Sequence, residues 1–277
     1  MEREELSEGS IKRGLRTAAF GRNVISYRTV GSTNEEARRL AARGSPEGTL
    51  VIAEEQTAGR GRMGRKWLAP SGSSLLMSLV FRPSLAPNKA QRLTMICSLA
   101  ICEAIAKLTG IEAEIKWPND ILIRGKKVGG ILTELGIQRG KVEYAIVGIG
   151  LNVNLRPDDL PEISDPITSL SYELGHPISR LELLQAILES IEARYKRLQK
   201  GESPKREWEE RLSTLHKYIT VTTPVEQVEG WAEEVDEDGT LILRLRDGRR
   251  RRIIAGDVTL RLPFEPPLAP GVQGEEN

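Results

Sequence analysis

The chain has 277 residues, of which 39% are hydrophobic and 29% charged, and its 40 Lys and Arg nearly cancel 39 Asp and Glu to leave +1. That much apolar sequence builds a sizeable core, which excludes a disordered chain. The balanced charge excludes a polyanion binder that uses its whole surface, but it leaves room for a local basic patch. The two cysteines, Cys97 and Cys102, lie in an apolar run without flanking histidine. This is neither a zinc pattern nor a disulfide scaffold, and it suits a reducing cytoplasm. The first ten residues hold no apolar segment, so no signal peptide is expected there. The apolar runs are shorter than the ~20 residues that span a bilayer, so no membrane association is expected.

Residues 1–22 are polar and irregular and read as a mobile arm or one short helix. A strand follows at Val24 to Val30. Ser32-Thr33-Asn34-Glu35-Glu36 opens a helix, with Thr33 and Glu36 at capping-box spacing and Gly44 as its stop. Leu50 to Glu54 is a short strand running into a Gly/Arg-rich loop at 56–66, and Leu75 to Arg82 is another strand, closed by Pro83. Pro87 and Asn88 start a long helix on which Leu93, Ile96, Cys97, Ala100, Ala104 and Leu108 form an apolar stripe, and Gly110 ends it. Three strands are expected at Ala113 to Trp117, Ile121 to Ile123 and Val128 to Leu135, with a tight turn at Gly125. A nearly all-apolar fourth, Tyr144 to Val153, reads as central.

Pro157, Pro161 and Pro166 mark a loop. Ser179 with Glu182 caps a helix carrying Leu183, Leu184, Ile187, Leu188, Ile191, Tyr195 and Leu198, and Ser203-Pro204 starts a shorter one. Beyond Tyr218 the period changes to short strands joined at Asp238-Gly239 and Asp247-Gly248, two hairpin signals. The expected organisation is an arm (1–22), an α+β domain with helices packed on one face of a mixed sheet (23–216), a small β-barrel (217–262) and a disordered Pro/Gly/Glu tail (263–277).

Four segments carry chemistry. In Gln56-Thr57-Ala58-Gly59-Arg60-Gly61-Arg62-Met63-Gly64-Arg65-Lys66-Trp67, glycines allow close backbone approach and arginines offer charged forks for phosphate or carboxylate. Such a loop is expected to be mobile until an anion orders it; a solvated basic loop is the plain alternative. In Lys116-Trp117-Pro118-Asn119-Asp120, Asn119 and Asp120 can orient Lys116 or hold magnesium through oxygen. In Lys127-Val128-Gly129-Gly130, the glycine pair clears a strand for a flat ligand or marks a bulge. In Val147-Gly148-Ile149-Gly150-Leu151-Asn152, alternating glycines bare one face of a strand, for a ligand or for a packed helix. Ser32-Thr33-Asn34 caps its helix and can also hold a polar ligand atom. There is no P-loop, and a Rossmann reading of Gly59 to Gly64 fails for want of a following helix. His176 and His216 lie far from every motif, which argues against histidine catalysis.

In this order, STNEEA, AEEQTAGRGRMGRKW, SLLMSLVFRP, IKWPNDIL, KKVGGILTEL and VGIGLNVN resemble the biotin protein ligases over roughly residues 24–262. The resemblance implies a class II synthetase-like catalytic domain with a small C-terminal SH3-like barrel. It implies ATP-dependent activation of biotin to biotinyl-5′-AMP, then transfer to a lysine of a biotin carboxyl carrier protein, with Mg2+. It assigns Lys127, Arg62 and Lys116 to catalysis. It places Ser32, Thr33, Asn34, Gln56, Arg60, Gly61, Arg62, Lys127 and Gly130 around biotin. Arg60, Arg62, Arg65, Trp67, Lys116, Asn119, Asp120, Asn152 and Arg261 fall to ATP, with Asp120 at the metal. Residues 59–66 are expected to form a lid over the reactive anhydride. Met63 stands where an arginine often occurs in the family.

A homodimer is also implied. The short segment before the first strand leads to the expectation of no DNA-binding domain and no operator binding. Two alternatives stay open: a lipoate–protein ligase on the same fold, and a non-catalytic nucleic-acid binder using the Arg/Gly loop and Arg249 to Arg252. That arginine run also reads as an exposed strand or as a docking surface for an acidic carrier.

Overall fold

The computed structural model describes residues 6–156 and 166–260. Pro157, Pro161, Arg261 and the tail at 263–277 lie outside the described residues. The main sheet has seven strands: β1 (Val24–Val30), β2 (Leu50–Gln56), β3 (Ser74–Phe81), β4 (Glu114–Lys116), β5 (Asp120–Ile123), β6 (Lys126–Gln138) and β7 (Lys141–Asn152). Their order is β1-β2-β3-β7-β6-β5-β4. Only β1 and β2 pair in parallel; all other neighbours are antiparallel, so the sheet is mixed. β3 is buried along its whole length, as its unbroken apolar run requires.

One face is covered by α3 (Gln91–Thr109) and α5 (Arg180–Gln199), which pack on each other and on the sheet. Leu93, Ile96, Cys97, Ala100 and Ala104 are buried as the periodicity demands. Leu108 is exposed, because in the last turn the apolar stripe outruns the covered face. Gly110 ends α3 in the left-handed region at φ +71°. Ser179 caps α5 by accepting from the Glu182 N–H. Each large apolar side chain in this layer contributes about 1.5–3 kcal/mol by burial.

The short α2 (Thr33–Ala42) lies on the opposite face, where Ala37 and Ala41 pack on Val51, Val80 and Ile146. It covers only one end of that face. Its expected capping box is not made: the N-cap is Ser32, without a side-chain cap bond, and the Thr33 hydroxyl donates to Gln56 instead.

Residues 6–22 include the helix α1 (Glu8–Lys12), and Leu6, Ile11, Leu15 and Phe20 are buried in the main core. The Glu192 carboxylate on α5 accepts the backbone N–H groups of Ala18, Ala19 and Phe20. A polar, irregular segment is thereby fixed to the far side of the domain.

After α4 (Leu170–Leu174), α5 and α6 (Lys205–Glu209), the chain forms a five-stranded antiparallel sheet: β8 (Tyr218–Thr222), β9 (Gln227–Val235), β10 (Leu241–Arg244), β11 (Arg250–Ile253) and β12 (Asp257–Leu260). This is the small C-terminal β unit expected from the turn signals. Gly239 and Gly248 both sit at φ +81° in those turns. Buried Trp117 joins the two sheets: its Nε1 donates to the Gly239 carbonyl at 2.9 Å.

Candidate active site

The uncovered end of the α2 face of the main sheet is a cavity, and its floor follows from strand register. On that face, Val80, Ile146 and Glu134 form one row across β3, β7 and β6. Ser78, Gly148 and Leu132 form the next, and Leu76, Gly150 and Gly130 the third. Side chains alternate along a strand, so glycines two residues apart bare one continuous strip. Other groups fill the space they leave. A Cβ on Gly148 would meet Asn34 Oδ1 at 2.0 Å, and one on Gly150 would meet the Trp67 indole at 2.5 Å. One on Gly130 would lie 3.3 Å from the Lys127 side chain and from Trp67. The alternating glycines therefore make room for Asn34 and Trp67 over the sheet.

The neutral polar groups gather over the Gly148 row. Gln56 Oε1 accepts from Thr33 N at 2.8 Å and from Thr33 Oγ1 at 3.1 Å. Ser78 Oγ donates to Asn34 Oδ1 at 2.6 Å. Asn34 Nδ2 donates to Glu134 Oε2 at 2.7 Å. Ser32, Thr33, Asn34 and Ser78 are all buried.

Lys127 lies beside the Gly130–Gly150 row, whereas Arg60 sits at the Glu134 end of the cavity. Lys127 Nζ is 2.7 Å from Asp120 Oδ1 and 5.7 Å from the Trp67 ring centre. Arg62 Nη1 donates to Asn119 Oδ1 at 3.0 Å and to the Gly256 carbonyl at 3.3 Å. Burial pulls the Arg62 guanidinium below the ordinary arginine range, while Asp257 and Asp120 oppose the shift. Arg65 pairs with Asp257, and Arg60 lies 3.4 Å from Glu35 and 3.7 Å from Glu134.

The Gly/Arg loop makes hydrogen bonds of its own. Gly61 N donates to Arg65 O at 2.7 Å and Trp67 N to Gly59 O at 3.0 Å, folding it into a small hairpin. Its arginines have protein carboxylates and carbonyls as partners, which substitute for a ligand anion. Met63, at φ +53°, turns outward and is exposed.

Of the residues singled out from sequence, Ser32, Thr33, Asn34, Gln56, Arg60, Gly61, Arg62, Arg65, Trp67, Asn119, Asp120, Lys127, Gly130 and Asn152 all line this one cavity. Lys116 does not: it ends β4, one strand further out than Asp120 on β5. Arg261 lies outside the described residues. Asp257 also lines the cavity, but it comes from the second sheet and no local sequence pattern marks it. Ser78 and Glu134 were legible only through register, each lying an even number of residues from a glycine or a facing partner on the same sheet face.

Two buried polar atoms at the cavity have no protein partner among the described residues: Trp67 Nε1 and Asn152 Oδ1. Buried polar groups are nearly always satisfied, so both point to a bound ligand. The arrangement offers amide and hydroxyl groups at one end and fixed positive charge at the other. It suits a ligand with a neutral polar head and an anionic tail lying beside a second anion. His176 and His216 are exposed and do not line the cavity.

A mixed sheet bearing such a cavity, followed by a small β unit, defines the biotin/lipoate type of protein ligase. The model of the biotin/lipoate A/B protein ligase family matches residues 26–152, and that of the biotin protein ligase C-terminal domain matches 214–261. The chain is 40% identical to the bifunctional ligase/repressor BirA of Bacillus subtilis, over 92% of this chain and 79% of that protein. It is 36% identical to the biotin–[acetyl-CoA-carboxylase] ligase of Paracoccus denitrificans, over 79% of this chain and 93% of that one. A biotin protein ligase from Aquifex aeolicus, solved in complex with biotin and ATP, superposes with a TM-score of 0.74 at 32% identity, covering 87% and 99% of the two chains. The chain belongs to the biotin protein ligase family.

Proposed function

We propose that this protein is an ATP-dependent biotin protein ligase. A biotin carboxylate oxygen attacks the α-phosphorus of ATP, giving biotinyl-5′-AMP and releasing pyrophosphate. A lysine amine of a biotin carboxyl carrier protein then attacks the acyl carbon, and AMP leaves. The observation that carries the reading is the single cavity that unites the Thr33–Asn34–Gln56 cluster with Lys127, Arg60, Arg62 and Arg65. Two anions must meet in the first step, so preorganised positive charge is the main catalytic requirement. Arg62 and Lys127 take the carboxylate and α-phosphate. Thr33, Asn34 and Gln56 take the ureido ring, with Ser32 beside them and Gly61 and Gly130 giving close backbone contact. Trp67, Asn119 and Asn152 face the nucleotide. The hairpin at 59–66 covers the anhydride and excludes water. Lys116 lies outside the cavity lining; its assignment to the phosphates, like that of Arg261, rests on the family resemblance alone.

Mg2+ belongs to the proposal. It is a hard cation that takes oxygen ligands, commonly one carboxylate plus substrate phosphates. Asp120, a carboxylate lining the cavity, fits that role. Substrate phosphates would supply further oxygen ligands beside it. When bound, the ion neutralises phosphate charge; Asp120 and Lys127 orient what the protein itself contributes.

The proposal extends to a cytoplasmic homodimer. Cys97 and Cys102 are buried free thiols, as a reducing compartment allows, and β1 is an open sheet edge. No helix among the described residues is long and apolar enough to cross a membrane. The nucleic-acid alternative is disfavoured by pairing: Arg249, Arg250, Arg251 and Arg252 face Asp247, Glu233, Glu226 and Asp236 respectively. Biotin-dependent ATP–pyrophosphate exchange is the decisive assay. Exchange with lipoate in place of biotin, or none with either, overturns the reading.

A further inference from the structure

We propose that Glu134 is a positioning residue. It fixes the polarity of the Asn34 amide and ties that amide to Arg60, thereby setting affinity for a ligand that offers an N–H at this end of the cavity. The inference rests on the biotin reading above and assigns a role to residues outside the ring of direct ligand contacts.

An asparagine amide has two donors on nitrogen and two lone pairs on oxygen, and only its neighbours decide which end faces a ligand. Around Asn34 the neighbours decide it. Nδ2 donates to Glu134 Oε2 at 2.7 Å and lies 3.4 Å from the Leu132 carbonyl. Both are acceptors only, so nitrogen must face them. Oδ1 accepts from Ser78 Oγ at 2.6 Å, from a hydroxyl on a side chain with no solvent exposure. Both donors of Asn34 are thus committed, and one lone pair of Oδ1 remains. The residue is 4% exposed, so it has little room to turn.

Gln56 is fixed in the opposite sense. Its oxygen accepts the Thr33 backbone N–H at 2.8 Å, which leaves its amide N–H groups to donate. The two amides together present an acceptor and a donor, the complement of a ligand N–H beside a carbonyl, as in a cyclic urea. The other oxygen of Glu134 faces Arg60 at 3.7 Å. One carboxylate therefore touches α2 through Asn34 and the Gly/Arg hairpin through Arg60.

Titration calorimetry with biotin tests this on the full chain and three variants: Glu134→Gln, Asn34→Asp, and the pair combined. E134Q removes the acceptor-only constraint and the charge facing Arg60, and is expected to weaken biotin about tenfold or more. Turnover at saturating biotin should stay within about threefold, so the loss falls on KM. N34D sets two carboxylates against each other and should cost about a hundredfold. In the double variant, the amide introduced at 134 donates to the carboxylate introduced at 34. That carboxylate still accepts from Ser78 and from a ligand N–H, so affinity should recover at least about tenfold over N34D. A merely structural role for Glu134 predicts no such recovery. Parent-like affinity in E134Q, or a double variant weaker than N34D, overturns the inference while leaving the function intact. A parent chain that binds no biotin overturns the proposed function itself, before any variant is compared.

Discussion

Arg62 Nη1 donates to Asn119 Oδ1 at 3.0 Å, and Asn119 is held from its other side, where Nδ2 donates to the Ile131 carbonyl at 2.7 Å. A strand carbonyl thus dictates which end of Asn119 meets the arginine, and through it where the guanidinium sits. Arg62→Ala should therefore remove both an anion partner and the clasp between the hairpin and the Lys116–Asp120 segment. We expect biotinyl-AMP to leave the enzyme at least about tenfold faster, and bystander lysines to be labelled. Single-turnover release of radiolabelled intermediate measures it; retention equal to the parent sinks the lid function of the hairpin.

The hairpin is also held from the second sheet. Arg65 pairs with Asp257, and the Gly256 carbonyl accepts from Arg62. An exposed ion pair of this type contributes about 0.2–1 kcal/mol. Asp257→Ala should then raise the open population of the hairpin by up to about fivefold. Trypsin, which cuts after Arg60, Arg62 and Arg65, reads this as faster nicking in that segment at an unchanged melting temperature. An unchanged cleavage rate means Asp257 holds nothing.

The extent to which this was legible in the sequence differs by element. Strands and long helices were plain, because their apolar periods report directly which face is buried; α3, α5 and β7 are such cases. Gly148 and Gly150 were legible as a bared strand face because glycines two residues apart fall on one side of a strand, and Arg60, Arg62 and Lys127 were legible as cations of one cavity only through the family resemblance. The 6–22 segment was not: its four buried apolar residues are spread through polar sequence, and only contact with Glu192 and the core reveals them. Thr33 was misread as part of a capping box because the spacing fits. The competing acceptor, Gln56, is 23 residues away and invisible locally. Asp257 and Glu134 act across sheet register or between two sheets, which single-chain spacing does not encode.

Gly148 tests the floor. A methyl group there would stand 2.0 Å from Asn34 Oδ1, and Asn34 cannot swing aside without breaking its bonds to Ser78 and Glu134. Gly148→Ala should cost about 1–3 kcal/mol of stability through overpacking. Biotin affinity should fall far more, by roughly a hundredfold or beyond, if the displaced amide holds the ligand as proposed. Gly150→Ala, which meets the Trp67 indole, should weaken ATP and spare biotin. Calorimetry with each substrate separates the two; a common loss of both substrates in both variants contradicts a floor divided along β7.

Glu192 offers a test of stability independent of catalysis. Burial alone would raise its pKa, but the Lys196 ammonium and the backbone N–H groups of Ala19, Ala18 and Phe20 outweigh that and hold it at about 2. Its ordinary value is 4.5. A depressed folded-state pKa means the unfolded chain binds the proton more readily. The stabilisation is then fully present above pH ~4.5 and is lost as pH falls toward ~2, where both states are protonated. A shift of this size corresponds to roughly 3 kcal/mol at neutral pH. Glu192→Gln should accordingly unfold at lower urea than the parent at pH 7, with residues 6–22 becoming the first segment to exchange amide hydrogens. The gap between the two proteins should narrow steadily from pH 5 downward, because the parent loses what the variant never had. A gap that stays constant down to pH 3 would show that the three backbone donors hold the protonated acid as well as the carboxylate.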